Sequence, residues 1–339
     1  MPLFNAARLD MVRYQNGQNQ LHTGVKSVAA DSYRSRFGRW EERASVRAKP
    51  QRVLEGGGEH CLYFPPEFVP VATHPLVAER GQECVERILV HRLFHYLHFT
   101  VDLEQVAVIP ISSQISRGRA GLHLPERMKE DAFKISTDEA WHAQFTYDML
   151  KQVERQTGVP AHMPELPQFI ERLDRVHRHM DPDLRGIDEL IFAVVSETLI
   201  SNMLADLPRD ERLPKAVREL VADHAEDEGK HHAYFSSLLE YVWPALSRDQ
   251  QRRIGPWIPE LIFSFLEPDY RAMSYGLHES GFRASEIDQI VHESYPREVV
   301  AETIREAALA TIHYFRGVGV LDDPATRDAF LAAGLIDQV

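Results

Sequence analysis

Asp138-Glu139-Ala140-Trp141-His142 and Asp227-Glu228-Gly229-Lys230-His231 repeat one pattern, Asp-Glu-x-x-His, and how they are read decides the fold. On a helix, a Glu and a His three positions apart are separated by about 300° of rotation and one turn of rise, so both side chains reach one cation. A single copy is common on solvated faces. Two copies in one chain call for a helical scaffold that brings them face to face. The flanking sequence supplies it: apolar residues recur at three- and four-residue spacing over 76–108, 124–156, 166–180, 185–206, 212–243 and 258–266, and more weakly over 283–293, 297–316 and 325–335. Alternating β-branched runs are scarce. Breaks are expected at Val108-Ile109-Pro110, Gly158-Val159-Pro160, Asp181-Pro182, Leu207-Pro208 and Gly255-Pro256.

Four-helix carboxylate proteins that hold two irons or manganeses combine one Glu from each of two helices with Glu-x-x-His from each of the other two. That scheme requires a lone inward Glu before each motif. Glu104 precedes the first and Glu197 the second, each by about a helix, a turn and a return, and each within strongly apolar helix. An unpaired buried charge there would cost several kcal/mol, on the order of what only a cation offsets. The chain thus reads Glu, Glu-x-x-His, then Glu, Glu-x-x-His, an all-α, ferritin-like four-helix bundle core with additional N- and C-terminal helices.

In Asp223-His-Ala-Glu-Asp-Glu-Gly-Lys-His-His232 the charges divide by helical angle. His224, Glu228 and His231 fall within about 60° of one another, while Glu226 and Lys230 fall on the solvated side. His224 is either a third imidazole ligand or a neighbour of the ligands. Asp138 and Asp227 are placed to accept the outer ring N–H of the motif histidines, either across the bundle or within their own helix. His91, His95, His98 and Asp102 form a second stripe, but it faces away from Glu104 and suits a subunit or helix interface lined with neutral His.

Composition narrows the remaining classes. The 339 residues are 44% hydrophobic, enough for a large core, with no run long enough to span a membrane and no leader-like N-terminus. A formal charge of −13 opposes nucleic-acid binding. Only Cys61 and Cys84 occur, which argues for a reducing, cytoplasmic setting. Residues 1–75 read as a polar arm, with one short helix over 32–47 and a Pro-rich lead-in. Residues 76–320 read as the helical domain and 321–339 as an extension packed on it. Oxygen and imidazole donors without thiolate favour two irons, with manganese the other fit, and O2 as co-substrate.

Glu104, Glu139 and His142, Glu197, and the triplet His224, Glu228 and His231 resemble, in order and spacing, the seven-ligand set of the p-aminobenzoate N-oxygenase-like di-iron proteins. The resemblance covers roughly 75–320. It implies a homodimeric arylamine N-oxygenase that takes electrons from an external donor and carries an amine to hydroxylamine, nitroso or nitro level. Within this chain, Leu97, Thr100 and Val101 share the face of Glu104, while Val194 and Ile200 flank Glu197. This pocket lining is apolar, so a cation for an acidic substrate would have to come from Arg92, Arg117 or Arg119. C–H hydroxylation or desaturation, iron oxidation and radical generation are the competing chemistries of such a centre.

Overall fold

The computed structural model describes residues 33–55, 62–163, 166–204 and 206–337, and among them every regular element is helical. Helix α1 (Gln82–Leu103) passes directly into a π-turn, Glu104–Val108, and α2 (Ile109–Ser116). The long α3 (Glu126–Thr157) follows, then α4 (Gln168–His179), α5 (Ile187–Met203) and α6 (Lys215–Ala245). The C-terminal helices are α7 (Arg248–Ile254), α8 (Ile258–Leu266), α9 (Tyr270–Glu279), α10 (Ala284–Ser294), α11 (Arg297–Gly317) and α12 (Pro324–Ala332). Helix α1 packs on α3, α5 packs on α6, and α3 meets α6, so the four helices carrying the paired motifs form the core bundle. Helices α8 and α11 cover α5. No helix among the described residues is long and apolar enough to cross a membrane.

The expected break at Val108-Ile109-Pro110 does not occur. Ile109 N–H bonds back to Glu104 O, five residues earlier, and the widened turn lets the chain continue through Pro110 at the second position of α2. Between α3 and α4 the expected stop holds, because Gly158 at φ 69 ends α3 in the left-handed region. Helices α7 and α9 escape the periodicity argument. Helix α7 has Ile254 as its one apolar residue, α9 mixes Tyr270, Ala272, Met273, Tyr275 and Leu277 with polar residues, and their starts are set by side chains: a Ser247/Gln250 capping box for α7, and Asp269 accepting from the Arg271 and Ala272 amides for α9.

The helix expected over 32–47 is instead two single turns, Trp40–Arg43 and Ser45–Ala48, separated by extended Ala44 (φ −57, ψ 138); residue 32 lies outside the described residues. Ala44 is wholly buried, and this segment lies against α3 and α6. The stripe His91, His95, His98 proves to be a helix interface within the chain. His91 packs edge-on to Tyr275 and against Gly276 of α9, and His98 Nε2 pairs with Ala161 O at 2.7 Å. Cys84 is a free, half-buried thiol, and Cys61 lies outside the described residues.

Candidate metal centre

Glu104, Glu139, His142, Glu197, His224, Glu228 and His231 are all buried and come together in the bundle. Their donor atoms form two groups, each with every atom within 4.8 Å of the others: Glu104, Glu139, His142, His224 and Glu228 in one, Glu139, Glu197, Glu228 and His231 in the other. Glu139 and Glu228 belong to both. Glu139 shows how one carboxylate spans the groups, with Oε2 lying 2.7 Å from His142 Nδ1 and Oε1 lying 2.7 Å from His231 Nδ1. His224 Nε2 stands 3.2 Å from Glu228 Oε1 and 3.6 Å from Glu104 Oε1.

Local structure explains the aim of each side chain. The Glu-x-x-His spacing of α3 and α6 presents Glu139 with His142 and Glu228 with His231, and His224 lies one turn before Glu228 on the same face. Glu104 opens the π-turn, a feature that often re-aims side chains at functional sites.

The outer nitrogens of the motif histidines are held crosswise. His231 Nε2 of α6 pairs with Asp138 Oδ2 of α3 at 3.2 Å, and His142 Nε2 of α3 pairs with Asp227 Oδ2 of α6 at 3.4 Å. These bonds turn both Nδ1 atoms inward. The aspartates are themselves anchored, and sequence reasoning did not find their anchors. Trp40 Nε1 donates to Asp138 at 2.8 Å, the Ser45 amide donates to Asp227 Oδ2 at 2.9 Å, and Lys230 Nζ donates to Asp227 Oδ1 at 2.7 Å. Lys230 is therefore partly withdrawn from solvent to serve the site, correcting its reading as a solvated residue. Glu226 is exposed and pairs with Lys49, and Asp223 is gripped by Arg52. No local signal in the polar N-terminal segment marks Trp40 or Ser45; only the tertiary approach of that segment does.

Burial, with the neighbouring carboxylates, pushes Glu104 and Glu197 well above the ordinary carboxyl range. Burial acts the same way on Glu228, but His231, His142 and His224 outweigh it and hold that group well below. Burial disfavours charge on His142 and His231 too, yet Glu139 and the other acids raise both. Burial and the neighbouring His142 lower His224, keeping it a neutral lone-pair donor.

A metal fits this site on geometry. Among the described residues, both oxygens of Glu104, Glu197 and Glu228, together with Glu139 Oε1, His224 Nε2 and His231 Nδ1, are buried without a hydrogen-bond partner. His231 Nδ1 and Glu139 Oε1 are close yet not aligned as donor and acceptor, as expected of two ligands aimed at a common point. So many orphaned polar atoms in one place are not tolerated in a folded core unless something else satisfies them.

A sequence profile described as p-aminobenzoate N-oxygenase AurF matches residues 55–319. The chain belongs to that family. The 4-aminobenzoate N-oxygenase of Streptomyces thioluteus is 24% identical to it over 253 residues, covering 73% of this chain and 75% of the relative. The chain is accordingly an oxygenase of the AurF family, and the buried carboxylate and histidine cluster of this family member fits a metal site. Of the residues expected around its substrate, Leu97, Thr100, Val194 and Ile200 are buried and Val101 is half-buried. None of the five lines the cavity of about 430 Å³ that opens beside α1.

Proposed function

We propose that the seven clustered residues hold two iron ions and that the enzyme uses them to oxygenate the nitrogen of an aryl amine. The orphaned donor atoms at the heart of the bundle carry this reading. Glu104, His142 and His224 would hold one ion, Glu197 and His231 the other, with Glu139 and Glu228 between them. When bound, such a pair supplies the reduction of O2 and the oxidising power for the amine. The protein's own contribution is positional. Asp138 and Asp227 fix the imidazole tautomers, and the apolar bundle shields the centre from bulk water. His224 adds a third, neutral imidazole to one side only, making the two ion sites unequal. The electrons come from an external donor, and the enzyme acts as a homodimer, following the family resemblance. The amine is of the class named for the Streptomyces relative, an aminoaryl compound.

The test is anaerobic reduction of iron-loaded protein, addition of O2 with a panel of aryl and alkyl amines, and product identification by mass. About two irons per chain and oxygen on nitrogen are expected. Oxygen incorporated only at carbon would turn the reading to C–H oxidation by the same centre.

A further inference from the structure

Two features of the N-terminal segment meet at one place. The first is charge. Over residues 33–55 seven Arg and Lys stand against three Glu, in a chain whose formal charge is −13. Four of the seven are engaged: Arg39 with Glu42, Arg47 with Glu41, Lys49 with Glu226 and Arg52 with Asp223. Arg34, Arg36 and Arg43 are exposed and form no ion pair with a described residue. These three flank Phe37 and Trp40 in sequence, so an acidic molecule carries a basic surface where this segment lies over α3 and α6.

The second feature is contact with the buried cluster. Trp40 Nε1 donates to both oxygens of Asp138, at 2.8 and 2.9 Å, and Asp138 Oδ2 pairs with His231 Nε2 at 3.2 Å. Phe37 stacks on His231 with ring centroids 6.0 Å apart. Asp138 and His231 are wholly buried, whereas Trp40 keeps 9% of its surface and has the Arg47 guanidinium 5.9 Å from its ring centroid. Trp40 is thus the outer end of an unbroken hydrogen-bonded chain that runs inward to an imidazole of the cluster. Electron transfer through a protein slows steeply at each through-space gap, so a continuous chain that ends in a delocalised indole is a favoured route. The other indole near the cluster lacks one. Trp141 is linked to His142 and His224 through Phe145, across ring separations of 5.9 Å and then 5.4 and 5.9 Å.

Oxygenation at a buried metal pair consumes electrons, and their donor has to approach some part of the surface. We propose that the surface carrying Arg34, Arg36 and Arg43 docks an acidic one-electron carrier protein, and that Trp40, through Asp138 and His231, conducts its electrons to the metal pair. The rest of the chain is negatively charged and repels such a carrier, which leaves this surface as the attractive approach. Electron-transfer partners dock weakly through small interfaces, where steering by charge counts for more than area. Each transfer oxidises one carrier by one electron and reduces one Fe(III) to Fe(II), so two carriers serve one pair. The indole begins and ends neutral, and its N–H proton stays in the bond to Asp138. The conduit rests on the di-iron reading for its acceptor; the docking surface does not.

The test uses the iron-loaded chain, oxidised and kept free of O2, with a plant-type iron–sulfur ferredoxin of acidic net charge, reduced beforehand. Calorimetry gives binding, with and without iron, and stopped-flow absorbance gives the rate of reduction at rising ferredoxin concentration, referred to the centres that hold iron. Reversing three charges together, Arg34→Glu with Arg36→Glu and Arg43→Glu, should raise the half-saturating concentration by about tenfold or more while the limiting rate is kept. Salt raised from about 50 to about 300 mM should act on the wild type in the same direction. Trp40→Phe should lower the limiting rate several-fold with binding unchanged, and Trp141→Phe should leave both as they are. An unchanged half-saturation in the triple variant or at high salt overturns the docking surface. The conduit is overturned by an unchanged limiting rate in Trp40→Phe, by a larger loss in Trp141→Phe, or by a slowing that a lowered midpoint potential of the centre accounts for. A ferredoxin that neither binds nor reduces the wild type overturns both. Reduction in the expected pattern, with no amine oxidised when O2 is added, keeps this inference and removes the N-oxygenation reading. Amine oxidation after chemical reduction, with the Arg and Trp40 variants reduced by ferredoxin like the wild type, does the reverse.

Discussion

At the scale of single residues, the centre depends on side chains that touch no metal-facing atom. Asp138 and Asp227 hold the outer nitrogens of His231 and His142. Replacing either with Asn keeps the shape but removes the charge that orients the ring. Asp138→Asn and Asp227→Asn should each weaken iron binding by about 10- to 100-fold, measured by competition with a chelator. An unchanged affinity would mean that these contacts only pack. Gly229 sits inside the second motif on the exposed side of α6, and a Cβ there would meet nothing within 4 Å. Glycine in a helix interior costs about 0.5–1 kcal/mol relative to alanine, so Gly229→Ala should raise unfolding stability by that amount with the iron content unchanged.

Elements bring a different set of forces. The face of α1 opposite Glu104 packs His91 and His95 against α9 and its approach, and burial lowers His91 to about 4 and His95 to about 3. The folded state therefore binds fewer protons than the unfolded chain below the ordinary His pKa of about 6.5. Their contribution to stability is complete above that value and is lost as pH falls toward 4. In chemical denaturation, stability should drop across this window, and His91→Gln should flatten the fall; parallel profiles would exclude His91 as a titrating group. At the other end of the molecule, α12 is seated on the turn after α7. A Cβ on Gly255 would lie 2.2 Å from Thr326 Oγ1. Gly255→Ala should lower the thermal midpoint through overpacking of about 1–3 kcal/mol, and Thr326→Ala should partly restore it.

For the molecule as a whole, the N-terminal segment completes the centre. Trp40 and Ser45 reach across α3 and α6 to the two orienting aspartates, and Tyr33 donates to buried Asp131 at 2.9 Å nearby. Ala44 makes this possible. The helix break there leaves the Ser45 amide without an internal acceptor and available to Asp227. Trp40→Phe should leave global unfolding within about 1.5–3 kcal/mol of wild type, as expected for one lost donor to a charged group, while iron release into a chelator accelerates. Unfolding that weakens severely with no change in iron release would assign Trp40 to packing alone.

The clustering of these seven side chains was legible because α-helical geometry is local. Spacings of three, four and seven residues place Glu139 with His142, and His224 with Glu228 and His231, before any tertiary contact forms. The apolar setting of Glu104 and Glu197 marked them in the same way, since a carboxylate in such a stretch needs a compensating charge. What folding alone decided was everything that depends on distant segments meeting. It carried α1 through Pro110 by a π-turn, withdrew Lys230 from solvent to hold Asp227, and laid Trp40 and Ser45 over the aspartates. It also left Arg92 Nη1 buried without a hydrogen-bond partner among the described residues, over the Phe64 ring. Periodicity specifies which side of a helix a residue occupies; only packing specifies what that side meets.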